Sequence, residues 1–457
     1  MRDGDPQRDR DPQQDGDPQR GDGLRAGLAQ RHLTMLALGG VIGAGLFVGS
    51  GQGLAAAGPA VLISFLLAAA LALGIMKMLG TLAIREPVSG AFSVYAERAL
   101  GRWAGVMTGW MYAVITAAAI AVESLAAAGI VHGMLPCIPL TLAAAVLLSV
   151  MVGVNLASVK SFGEAEFWFA ALKVSAVVVF IAIGVVALAG RLPGHPEPGP
   201  SALSGHGGLL PNGPISILTG LLTVVFAFGG MEVIAMAAAE SAEPGRAIAR
   251  AVRSAIWRIA LFYLGSGAVV VALLPWTAAR PGVSPYAQVL DRLGIPGAGR
   301  VTETVVLIAL LSALNANLYG TSRMVHSLAR RGDAPGALAR TSRSGTPRRA
   351  VLASAVVGYG SVAATAVWPG AVLDLLARTM GGTMLFMWLA ITVSYLVLHR
   401  RALGRVSPLA VSCALAIVVI VVTMYLQDST RGQVLSAAAV AVVPALAGWI
   451  RQRRGAG

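Results

Sequence analysis

Between residues 33 and 450 the chain repeatedly runs for about 20 residues with almost no charge, the length an α-helix needs to cross the hydrocarbon core of a bilayer. Nothing in the sequence constrains the fold more. Inside hydrocarbon every backbone N–H and C=O must be paired within the protein, which leaves helices or a closed barrel, and runs of this length suit helices. With 56% hydrophobic and 12% charged residues over 457 positions, and a mean hydropathy of +0.73, too little polar surface remains to solvate a water-soluble fold of this size. The expectation is therefore an all-α integral membrane protein. Residues 33–76 hold two spans with a kink signal at Gly58-Pro59. Further spans start at 103 and cover 138–156, 167–189, 215–239, 259–277, 304–322, 350–368, 371–398, 408–426 and 434–450, which makes twelve transmembrane helices.

The net charge of +14 could suggest a nucleic-acid partner, but its distribution argues against one. After the first 32 residues, lysines and arginines follow alternate loops, twenty-two on the side of the N-terminus against six on the other. Such a bias places both termini in the cytoplasm and makes the basic excess topological. Residues 1–32 are of another composition, a loose repeat of Asp-Pro-Gln-Arg with mixed charge and few apolar residues, and are expected to be a disordered cytoplasmic tail. The twelve-helix unit then covers 33–450, and 451–457 form a basic cytoplasmic end. Cys137 and Cys413 have no partner spacing, so neither a disulfide framework nor a metal site is expected. Three lysines beside many Arg, Ala and Gly residues fit a GC-rich bacterial genome.

The first span carries Gly39, Gly40, Gly43, Gly45, Gly49, Gly51 and Gly53 where a plain helix would carry leucine and valine. Two readings fit this run. Its small-xxx-small spacings allow close helix packing, while an unwound segment facing a polar cavity would make a binding site. The sixth span repeats the oddity with Phe226-Ala227-Phe228-Gly229-Gly230-Met231-Glu232. Two interrupted helices five spans apart match inverted-repeat transporters, whose sites lie at the midplane between discontinuous helices. That recurrence favours the binding-site reading. Charges within spans are costly, and Glu123, Lys173 and Glu232 stand well inside theirs, whereas Asp374 and Arg378 can neutralise each other at i and i+4. No nucleophile–base set or metal-spaced cluster appears in the spans, which disfavours an enzyme.

Several segments in order carry a resemblance: 39–47 (GGVIGAGLF), 86–92 (EPVSGAF), 162–169 (FGEAEFWF) leading to Lys173, 228–232 (FGGME), 240–244 (ESAEP) and 322–324 (SRM). Together they resemble bacterial amino acid permeases of the amino acid–polyamine–organocation superfamily, the group with aromatic amino acid, proline and 4-aminobutyrate permeases. The resemblance implies a five-plus-five inverted repeat, with helices 1 and 6 discontinuous around the substrate and two further helices outside the repeat. It also implies a carrier in the bacterial plasma membrane with a free amino acid as substrate and no cofactor, driven by the proton gradient.

In that setting a zwitterion could be served by backbone at both ends. Free N–H groups at Gly43, Ala44 and Gly45, at the positive end of the following half-helix, suit a carboxylate. Carbonyls orphaned at Val41 and Ile42 and near Phe226 to Phe228 suit an ammonium group. Phe228 matches a family aromatic beside the break and is expected either to cover the substrate side chain or to pack. Gly229, Gly230 and Glu232 are expected to wall the site. Lys173 is the candidate for proton coupling, since a buried ammonium can give up and regain its proton within a cycle; the alternative is that it snorkels to the membrane surface. Ser312 and Asn315 are its possible neighbours. Glu123 is either a second proton or substrate group or a carboxyl bonded between helices. Two departures from the family pattern, Thr81 for glutamate and Asn317 for glycine, bear on substrate choice and coupling. The helix expected after the sixth span, with Arg246, Arg250, Arg253 and Arg258 alternating with Ile248, Val252 and Ile256, should lie on the inner leaflet. An exchanger of amino acids and amines, and a nutrient sensor that binds without transporting, remain the alternatives to proton symport.

Overall fold

The computed structural model describes residues 31–32, 35, 42–43, 45–88, 90–191, 207–230, 232–239, 243–279, 284–342 and 345–454. Among them the regular elements are helices. In chain order these are α1 (Ser50–Ala57), α2 (Val61–Arg85), α3 (Ala91–Leu100), α4 (Arg102–Met134), α5 (Leu140–Ala157), α6 (Val159–Leu188), α7 (Ile215–Val224) and α8 (Glu232–Ala239). After them come α9 (Pro244–Arg258), α10 (Ser266–Leu273), α11 (Pro285–Arg292), α12 (Ala298–Arg330), α13 (Arg348–Val367), α14 (Pro369–Leu403), α15 (Pro408–Leu426) and α16 (Asp428–Arg454). The disordered tail expected at 1–32 falls outside the described residues except for Arg31 and His32, which are helical. At the other end, Arg451 to Arg454 continue α16.

Nine helical stretches among the described residues are long and apolar enough to cross a membrane. The twelve spans read from the sequence fall to nine by that criterion for identifiable reasons. Gly45 to Arg85 runs as one 41-residue stretch through the bend at Gly58, residues 260–273 make a shorter apolar helix, and 215–239 is interrupted near its middle. At the bend, Gly58 takes φ +62°, a conformation that costs an L side chain, and Pro59 follows it. The nine helices therefore establish a multi-pass membrane protein.

The molecule is organised around α4, which packs on α12, α16, α14, α5 and α3. Its buried face is rich in small residues, Ala117, Ala118, Ala119 and Ala121 among them, which let neighbouring backbones approach closely. Gly448 of α16 illustrates the constraint: a Cβ there would stand 2.8 Å from the Cα of Trp103. Large apolar side chains point outward instead. Val146 and Val150 of α5, Val179 of α6, Val356 of α13, Val419 of α15 and Val443 of α16 are all exposed, a distribution suited to lipid. The amphipathic helix expected after the sixth span forms as α9, with Arg246, Arg250 and Arg253 exposed. Part of its apolar face is taken up by protein. Ile248 is buried, and it and Val252 lie against Gly80 of α2, where the missing side chain makes room for them.

Candidate functional site

Two helix interruptions face each other. In the first, Ile42 and Gly43 bend the chain, and the Gly43 carbonyl accepts the N–H groups of Leu46 at 3.1 Å and Phe47 at 3.4 Å. The helix restarts as a π-helical turn, Gly45–Gly49, before α1, and such turns are frequent at functional positions. The Ser50 hydroxyl donates to the Leu46 carbonyl. A Cβ on Gly45 would lie 2.6 Å from the Cα of Ala227 in the second interruption, so this glycine is what allows the two breaks to touch. At Gly43 a Cβ would meet nothing within 4 Å. Packing and interruption, the two readings of the glycine run, thus divide between adjacent glycines. Val41 and Ala44 lie outside the described residues, as does the side chain of Phe226.

The second interruption is a 3₁₀ turn, Val225–Phe228, followed by Gly229 and Gly230. Gly230 takes φ +95°, which explains the glycine there. Glu232 opens α8, and one of its carboxylate oxygens accepts the Gly230 N–H at 3.0 Å. A negative group at a helix N-terminus is favourable both as a cap and toward the helix dipole. The indole N–H of Trp388 on α14 donates to the other oxygen, and both side chains are buried. Glu232 therefore stands next to the break as expected, with its carboxylate engaged by protein partners. Phe228 is fully buried, stacked on Tyr263 with centroids 4.4 Å apart and edge-on to Phe65 at 6.5 Å. The Tyr263 hydroxyl donates to the Ala227 carbonyl. Beside these breaks Leu46, Ser50, Phe65, Tyr263 and Tyr286 line a cavity of about 10 Å³, room for one water and far too little for an amino acid.

A second cluster joins α6 to α12. Lys173 is 1% exposed, which removes the snorkelling alternative, and its Nζ donates to the Ser312 hydroxyl at 2.8 Å. Ser312 donates to Oε1 of Glu166 at 2.6 Å, and Nζ stands 3.8 Å from that same oxygen. Nearby the Asn155 amide of α5 donates to Oδ1 of Asn315 at 2.8 Å. The structure thus brings the expected pair Lys173 and Ser312 together, with Asn315 on the same helix. It adds Glu166, which the sequence reading passed over as part of a motif. The signal was present: residues 166 and 173 are seven apart, two helical turns, and so share a face. Glu123 on α4 is held by the Asn317 amide of α12, whose nitrogen lies 2.9 and 3.1 Å from its two oxygens. The two departures that the sequence suggested looking at separate here, since Asn317 reaches an intramembrane carboxyl while the exposed-side Thr81 hydroxyl returns to the Lys77 carbonyl. The side chains of Asp374 and Arg378 lie outside the described set.

The arrangement has counterparts among known proteins. An amino acid permease family model matches residues 32–445. The chain is 44% identical over 392 residues to a probable GABA permease of Pseudomonas aeruginosa, covering 85% of this chain and 82% of that one. It is 40% identical over 425 residues to the gamma-aminobutyric acid permease of Bacillus subtilis, covering 90% of each. To the aromatic amino acid transport protein AroP of Corynebacterium glutamicum it is 43% identical over 387 residues, covering 83% of each.

Proposed function

The chain belongs to the amino acid permease family, and from that premise we propose that it is a secondary active transporter importing a free amino acid across the bacterial plasma membrane by proton symport with alternating access. The observation that carries this reading is the contact of two interrupted helices at Gly45 and Ala227. Hydrocarbon tolerates interrupted helices only where protein or a polar cavity covers the freed backbone groups. Here the interruptions lie together, inside the molecule, five spans apart in the order read from the sequence. A five-plus-five repeat with two further spans outside it accounts for that spacing. The three spans beyond the nine long helices are the segments ending in α1, in α8 and in α10.

In this reading the substrate carboxylate sits at the Gly43 turn, where a side-chain-free backbone leaves open space and the following helix presents its positive end. The ammonium group takes carbonyls of the same two breaks, among them those of Ile42 and Phe228. The breaks touch at Gly45 and Ala227, and in this reading they separate as substrate enters, which is what alternating access provides. Phe228, stacked on Tyr263, is placed to move with that opening. Lys173 supplies the proton-coupling charge, and both termini face the cytoplasm. Relatives named for gamma-aminobutyric acid and for aromatic amino acids make these the first substrates to try.

The test is uptake of radiolabelled gamma-aminobutyric acid and phenylalanine into proteoliposomes, with a panel of unlabelled amino acids as competitors. Accumulation under an inside-alkaline gradient that an uncoupler abolishes is the expected result. Uptake indifferent to both gradient and uncoupler, with stimulation by substrate preloaded in the vesicle, contradicts symport and indicates exchange.

A further inference from the structure

We propose that Glu166 is the proton partner of Lys173, receiving through the Ser312 hydroxyl the proton that the lysine carries. The proposal rests on the symport reading above and adds to it a residue and a route. Glu166 and Lys173 lie on one face of α6, about 10 Å apart along the axis at two turns' separation. The long lysine side chain leans toward the N-terminal end of its helix, the direction helical side chains favour, and ends 3.8 Å from Oε1 of Glu166. Both side chains are 1% exposed. Between them stands Ser312 from α12, accepting from Nζ at 2.8 Å and donating to Oε1 at 2.6 Å.

This chain of donors and acceptors has the polarity of a relay. Ser312 gives its hydroxyl proton to Oε1 while taking one from Nζ. An ammonium and a carboxylate become an amine and a carboxylic acid, the serine is restored, and no other reactant is needed. The product pair is neutral, which suits a step within the membrane, where separated charges are costly. The proton has moved toward the N-terminal end of α6, where the exposed Arg31 and the buried His32 meet Glu164. One turn from Glu166 in that direction the way is shut. Phe162 stacks on Tyr319 at 4.1 Å, and the Arg323 guanidinium lies 4.0 Å from the Tyr319 ring, all three buried. Release then requires α6 and α12 to part.

The charged groups around Glu166 fit this assignment. Lys173 is bridged to it, Arg323 is beyond the aromatic stack, and of the other intramembrane carboxyls Glu123 on α4 is held by Asn317 and Glu232 by Trp388 and the Gly230 N–H. From α5 the neighbouring polar group is the neutral Asn155.

The experiment reads protons and substrate separately in proteoliposomes carrying an internal pH-sensitive dye, using whichever of gamma-aminobutyric acid and phenylalanine the wild type accumulates. Wild type should acidify the lumen as substrate enters. Glu166→Gln should lose at least tenfold of that acidification and of gradient-driven accumulation, yet still exchange labelled for unlabelled substrate, and Glu166→Asp should recover part of the coupling. Ser312→Ala, which removes the bridge and keeps both charges, should slow coupled uptake more than exchange. Acidification by Glu166→Gln or by Ser312→Ala equal to wild type overturns the relay and leaves symport standing. Substrate entry without acidification in the wild type overturns the symport reading, and the relay with it.

Discussion

The cost of each buried charge depends on what stands beside it. Removing one member of a buried pair leaves the other uncompensated, at about 3–5 kcal/mol, whereas removing both is far cheaper. Lys173→Met should therefore destabilise strongly, and Lys173→Met combined with Glu166→Gln should recover most of the loss. Thermal unfolding of Lys173→Met, Glu166→Gln and the double variant in detergent checks this, and losses that simply add would argue that the two residues do not interact. The Asn317 amide is the described donor to Glu123. Asn317→Gly should cost about 1–3 kcal/mol by taking the described donor from a half-buried carboxyl. Lys173 was legible as a buried, partnered cation because a lysine in an apolar run must be engaged or reach the membrane surface. Its partners were less so. Ser312 could be suggested from its depth, but which face of α12 turns toward α6 is set by packing of whole helices, which no single helix pattern encodes. Glu166 shared a face with Lys173 in plain view, yet it was screened by its place near the end of its apolar run, where a solvated carboxylate is ordinary.

At the scale of elements, hydropathy located the spans and glycine located the breaks, because each signal has a local cause: one the absence of water, the other the absence of a Cβ. What glycine content could not separate was packing from binding. The structure separates two of the glycines by the space around them, since Gly45 abuts Ala227 and a Cβ on Gly43 would meet nothing within 4 Å. Gly45→Ala should accordingly lower the thermal stability, as its Cβ collides with backbone and one interrupted helix must shift. Gly43→Ala should melt with the wild type. Equal melting of both variants would contradict the close approach of the two breaks. The helix α9 was legible as amphipathic, but its apolar face covers Gly80 of α2. Periodicity shows that a helix has an apolar side and is silent on whether lipid or protein meets it.

Across the whole molecule, the end opposite α11 is tied together by charges from distant parts of the chain. The buried Asp333 carboxylate, just after α12, is 2.9 Å from Arg102 at the start of α4 and 3.6 Å from Arg451 near the end of α16. Arg331 adds a 2.5 Å contact to Glu97 of α3. The arginines at Asp333 are partly exposed, so the clamp is worth less than a fully buried pair; Asp333→Ala should cost about 1–2 kcal/mol and be read as a lower melting temperature. It joins α16, outside the proposed repeat, to α4 and α12, which carry Glu123 and Ser312. The account as a whole turns on the paired breaks as the place where substrate is held. Equilibrium binding of the labelled amino acid to purified wild type and Gly43→Val tests it most directly. A loss of affinity of about tenfold or more, ~1.4 kcal/mol, at unchanged melting temperature is the predicted result, and undiminished binding by Gly43→Val would contradict it.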